Sequence, residues 1–107
     1  MKIYELDSIA SLSELSEENI IYDFYANWCG PCKNLTKSIN LLSNESSFED
    51  LALVKINVDK YSEIAQKHNV RSLPTLVFTK SGKTIKTKIG VLSKSDLTFM
   101  IKETYDV

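Results

Sequence analysis

Two cysteines, three glycines, two prolines and a single histidine are all that this 107-residue chain holds of the residues that most often staple, bend or ligate. Two thiols cannot make the disulfide framework of a small secreted scaffold. With so few glycines and prolines, the sequence shows no linker, repeat or low-complexity segment. One histidine, His68, and two cysteines fall short of the four ligands of a structural zinc site. No apolar run approaches the about 18 residues of a membrane span. Thirteen basic and fourteen acidic residues leave a net charge of −1, so there is no electrostatic case for nucleic acid or an anionic membrane as partner. The opening MKIYELDSIASL has neither the apolar core nor the cleavage site of a signal peptide, which makes the cytoplasm the expected location.

What is present suits one packed domain over residues 1–107, with 43% hydrophobic and 25% charged residues. KIYEL reads as a short strand. A helix over SIASLSEL follows, capped by Asp7 or Ser8, with Ile9, Leu12 and Leu15 at helical spacing. NIIYDFYA (19–26) is apolar on both alternating sides and interrupted only by Asp23, the pattern of a central strand. From Cys29 a helix is expected to about Ser43, because Leu35, Ile39 and Leu42 recur at i, i+4 and i+7, with Asn44 at its end. LALVKINVD (51–59) is the next strand and YSEIAQKHN the next helix. PTLVFTKSGKTIKTKIG reads as a hairpin turning at Lys-Ser-Gly, its second arm alternating Ile85, Thr87 and Ile89 with Lys86 and Lys88, as suits a lysine-blunted edge. The last helix carries a capping pair at Ser93 and Asp96, then a stripe of Leu97, Met100, Ile101 and Tyr105. The order β-α-β-α-β-α-β-β-α predicts an α/β fold, a sheet with helices on both faces and an antiparallel edge.

Both cysteines fall in FYANWCGPCK, where a strand ends and a helix begins. In the first turn of that helix, Cys29 meets unpaired N–H groups and the positive end of the dipole, so it should ionise below the about 8.5 of a free thiol. Cys32 lies three residues on, near one turn away, within plausible reach for a disulfide. Pro31 costs little there, because its missing N–H has no intrahelical partner. Gly30 sets no side chain beside the sulfur, leaving Cys29 open to attack a partner's disulfide. The chemistry this spacing supports is dithiol–disulfide exchange, with Cys29 attacking and Cys32 closing the intramolecular disulfide. Metal binding lacks ligands, and an inert staple across so short a loop gains little. Asp23 is either a carboxyl turned to solvent or a buried acid of raised pKa that exchanges a proton with Cys32. Lys55 is read as a strand lysine, Pro74 as a strand-start proline, Trp28 as core filler or binding surface, and His68 as a partly exposed helix residue.

DFYANWCGPCK, followed in order by VKINVD, VRSLPTLVF and GKTIKTKIG, resembles the thioredoxin family from about Ile20 to the C-terminus. The resemblance implies a thioredoxin-like fold, a central mixed sheet of four to five strands flanked by helices on both faces. It implies a protein-disulfide reductase with no bound cofactor and a redox-active Cys29–Cys32 disulfide. It places Asp23 on the family's buried acid and Lys55 on the lysine near it. Pro74 falls on a cis proline against the thiols, with Leu73 before it pairing with the client, and Trp28, Gly30, Pro31 and Gly90 surround the substrate groove. The implied electron donor is an NADPH-dependent flavoprotein reductase, thioredoxin reductase, since no dinucleotide fingerprint is present here; disulfide-containing proteins are the clients, and a monomer is expected. Tyr25 departs from a usual tryptophan, and Lys37 from a proline that commonly kinks the helix. Two other functions stand beside this one: an exported oxidase or isomerase, marked by a potential of about −120 to −180 mV, and a binding module whose thiols are incidental.

Overall fold

Strand residues that are apolar on both sides need cover on both sides, and the sheet supplies two buried faces. In the computed structural model, which describes residues 1–107 apart from the side chain of Ala10, five strands form one sheet. They are β1 (Lys2–Glu5), β2 (Asn19–Tyr25), β3 (Leu51–Asn57), β4 (Thr75–Lys80) and β5 (Lys83–Ile89), in the spatial order β1-β3-β2-β4-β5. β3 pairs in parallel with β1 and β2, while β4 runs antiparallel to β2 and β5. β2 is therefore central, as a run apolar on both sides and interrupted only by Asp23 requires.

Alternation along these strands divides the core. Ile21, Leu53, Leu76 and Phe78 face α1 (Gly30–Leu42) and α3 (Lys94–Tyr105), which contribute Leu35, Ile39, Leu42, Leu97, Ile101 and Tyr105. On the opposite face Phe24, Val54, Ile56 and Val77 meet Ile64 and Ala65 of α2 (Ser62–Lys67), together with Tyr61 and Leu6. The expected α/β sheet with helices on both faces is what forms. Ser93 caps α3 by accepting the Asp96 N–H at 3.1 Å. The β4–β5 turn needs two left-handed residues in succession and uses Ser81 (φ 51°) and Gly82 (φ 81°).

Several local expectations need correction. The opening helix is a 3₁₀-helix, Ile9–Glu14, and Ile9 is half exposed instead of lying on an apolar stripe. Its serines explain the tighter turn. Ser8 Oγ accepts the Ser11 N–H at 3.2 Å and Ser11 Oγ donates to the Ser8 carbonyl at 2.6 Å, holding the backbone in a local geometry. A second 3₁₀ turn, Ser46–Phe48, follows α1 and buries Phe48. β3 stops at Asn57 and not at Asp59, because the Asn57 side chain accepts the Asp59 N–H at 2.9 Å and turns the chain. On β5 the two isoleucines are the exposed side, whereas Lys86 folds back to Glu103 of α3 at 2.7 Å.

Candidate functional site

β2 delivers the chain to the thiols. The turn after it is closed by the Cys29 N–H donating to the Ala26 carbonyl at 3.2 Å, and α1 begins at Gly30. Cys29 is thus the residue that caps α1, one position ahead of the first-turn place expected for it. Its Sγ accepts the Cys32 N–H at 3.2 Å, so a backbone donor of the helix's leading turn points at the sulfur. In the reduced protein that donor and the helix dipole favour negative charge on Cys29. Pro31 in the first turn leaves no intrahelical bond unmade. Cys29 and Cys32 form a disulfide, with 5.3 Å between their α-carbons.

The two cysteines line different openings of the surface. Cys29 lies in a groove of about 500 Å³ lined also by Trp28, Gly30, Pro31, Val58 and Leu73. Cys32 lines a separate cavity of about 240 Å³ with Tyr25, Thr36 and Lys55. Trp28 is 71% exposed, which rules it out as core filler. Its indole Nε1 donates to Asp59 Oδ2 at 2.9 Å and holds the ring at the groove's edge. An exposed, pinned aromatic at an interface commonly contributes more than about 1 kcal/mol. Trp28→Ala is therefore expected to raise KM for a protein disulfide roughly fivefold or more, leaving small-molecule disulfide reduction near its original rate. Steady-state comparison of the two substrates checks this.

Asp23 is 1% exposed, which removes the solvent-facing alternative. Neither carboxyl oxygen has a hydrogen-bond partner. Burial pushes its pKa up to about 7, with the Lys55 ammonium pulling it down and Glu5 adding to the rise. Lys55 stands beside it in the β2–β3 register and donates from Nζ to Thr36 Oγ1 at 3.0 Å. The Leu73–Pro74 peptide is cis, Pro74 is buried, and Leu73 reaches the groove. Gly90, at φ 100°, lies outside the groove lining, but its N–H donates to the Pro74 carbonyl at 2.9 Å and ties β5 to that segment. A side chain at Gly30 would meet nothing within 4 Å, so packing does not demand glycine there. His68 packs against Tyr22 and Phe24, away from the sulfurs, and burial lowers its pKa. Glu5, Thr36 and Asp59 are polar partners of this region that the motif did not single out.

A sulfur pair at a helix's leading edge, joined in a disulfide, is the equipment of a thiol–disulfide oxidoreductase. A family model described as thioredoxin matches residues 7–103. A thioredoxin of Mycoplasmoides gallisepticum is 36% identical over 98 residues, covering 92% of each chain. One of Bacillus subtilis is 37% identical over 91 residues, covering 85% of this chain and 86% of that one. A solved structure of a mutant thioredoxin from Halobacterium salinarum superposes with a TM-score of 0.86 at 27% identity, covering 99% of this chain and 93% of the other. The chain belongs to the thioredoxin family, and its activity is that of a protein-disulfide reductase. Neither the exported oxidase nor the inert binding module is favoured.

Proposed function

We propose that residues 1–107 work as one domain that reduces client disulfides through Cys29 as nucleophile and Cys32 as resolving thiol. The Cys29 thiolate attacks one sulfur of a client disulfide, forming a mixed disulfide and expelling the client's other sulfur as thiolate. Cys32 gives its proton to Asp23, and its thiolate attacks the Cys29 sulfur. That step closes the Cys29–Cys32 bond and expels the second client sulfur, so the client gains two electrons and this protein loses them. Lys55 modulates the proton transfer electrostatically. Trp28, Gly30, Pro31, Leu73 and Pro74 shape the surface on which an extended client segment lies, and Gly90 supports the Pro74 side of it. No cofactor is bound in this cycle. An NADPH-dependent flavoprotein, thioredoxin reductase, restores the dithiol, and the protein acts as a monomer in the cytoplasm.

The observation that carries this reading is the Cys32 N–H directed at Cys29 Sγ, which distinguishes the two sulfurs chemically. The test is reduction of insulin disulfides with NADPH and a thioredoxin reductase. Turnover well above that of the reductase alone is expected, with a potential below the oxidase range. Equal rates with and without the protein would defeat the assignment.

A further inference from the structure

Three ionisable side chains stand abreast across the sheet. The register sets Glu5 of β1 beside Lys55 of β3, and Lys55 beside Asp23 of β2. Neighbours in register on parallel strands share a face, so one ammonium lies between two carboxylates. It pairs with neither. Among the described residues, the ion pairs within 4.0 Å join Lys2 to Glu17 and Lys86 to Glu103.

Tyr25 accounts for this. Its hydroxyl donates to Glu5 Oε2 at 2.6 Å, while its ring lies beneath the Lys55 ammonium, 4.8 Å from Nζ to centroid. The same ammonium donates to Thr36 Oγ1 at 3.0 Å, and Thr36 Oγ1 donates to the Cys32 carbonyl at 3.1 Å. One end of the phenol thus holds the carboxylate, its face carries the cation, and a hydroxyl links that cation to the backbone of the resolving cysteine. Tyr25, Cys32, Thr36 and Lys55 line one cavity, with room for water to move a proton.

We propose that Glu5 and Tyr25 are positioning residues for the resolving half of the cycle: the Tyr25 hydroxyl occupies the Glu5 carboxylate, which leaves the Lys55 ammonium to face the Cys32 cavity and Asp23. The inference rests on the proton exchange between Asp23 and Cys32 proposed above. Without the phenol hydroxyl, Glu5 relaxes onto its register neighbour Lys55 and neutralises it. Asp23 then loses the cation that offsets its burial, and removing the Cys32 proton becomes harder. Without the Glu5 charge, the cation acts on Asp23 unopposed. Of the other groups around this site, β4 presents apolar Leu76 in register with Asp23, and Lys33 of α1, a second cation at the Cys32 cavity, is left in place by both variants below.

The test follows Asp23 itself by carbon-13 carboxyl NMR in the full-length oxidised protein, where no thiol titrates alongside it. Glu5→Gln keeps an acceptor for Tyr25 and removes the charge; the Asp23 midpoint should fall by about half a pH unit. Tyr25→Phe keeps the ring under Lys55 and frees Glu5; the midpoint should rise by a similar amount. In the double variant the rise should vanish, since no carboxylate remains to be released. The pH profile of the resolving step, read by stopped-flow fluorescence, should move in the same directions. A purely structural role would change stability without shifts of opposite sign. Midpoints unmoved in both single variants, or a rise that persists in the double variant, overturn the inference. Loss of insulin reduction from the wild type strikes instead at the underlying reading, and the NMR arm still decides what Glu5 and Tyr25 do to Asp23.

Discussion

With Cys29 replaced by serine, disulfide reduction is expected to drop to the level of the electron donor alone, a loss on the order of 10³-fold or more. A serine hydroxyl at this position receives the same Cys32 N–H but does not ionise in the working pH range, and only the thiolate attacks a disulfide. Cys32→Ser should fail differently. Cys29 remains in the groove and still attacks, but nothing closes the ring, so the client stays attached. Non-reducing mass spectrometry should then show one client per protein molecule, joined through Cys29, with multiple turnover lost. The asymmetry follows from placement, since Cys32 lines a cavity on the Lys55 side and is absent from the lining of the groove that holds Cys29. Trapping by Cys29→Ser in place of Cys32→Ser would reverse the assignment.

The thiols were legible because their chemistry is local. A strand running into Cys-Gly-Pro-Cys fixes where the helix starts, and hence which sulfur meets its N–H groups. β2 was legible for a similar reason: an apolar run on both faces has only the centre of a sheet to occupy. The hairpin announced itself in Ser81–Gly82. What could not be read depended on partners distant in sequence. An acid inside NIIYDFY signals something unusual, but its depth is set by α1 and by the pairing of β3 and β4 around it. Trp28 could have been core or surface until Asp59 was brought within hydrogen-bond reach of its indole N–H. Glu5 carries no motif at all, and only parallel pairing through β3 sets it in line with Lys55 and Asp23. The opening segment misled for a local reason, because helical spacing of Ile9, Leu12 and Leu15 was overridden by serine hydroxyls bonding their own backbone.

Asp23→Ala is expected to make the protein more stable and slower, by amounts that depend on pH. The folded-state pKa of about 7 lies above the ordinary 3.8 because burial disfavours the charge. Below about pH 4 the carboxyl is protonated in both folded and unfolded chains, and it has no charge-related effect on stability. Between there and about pH 7 the unfolded chain releases the proton more readily than the folded one, so stability falls as pH rises. Above that range the penalty is constant, and the separation of the two values corresponds to about 4 kcal/mol. Removing the carboxyl should therefore raise the urea midpoint of the oxidised protein strongly at pH 8 and little at pH 4, since the small space left offsets part of the gain. In the same variant, if Asp23 accepts the Cys32 proton as proposed, the mixed disulfide should resolve more slowly near pH 7, where a carboxyl of this pKa exchanges protons best. A stability difference that does not change with pH would mean that this carboxylate is solvated or paired, and the case for it as proton acceptor would go with it.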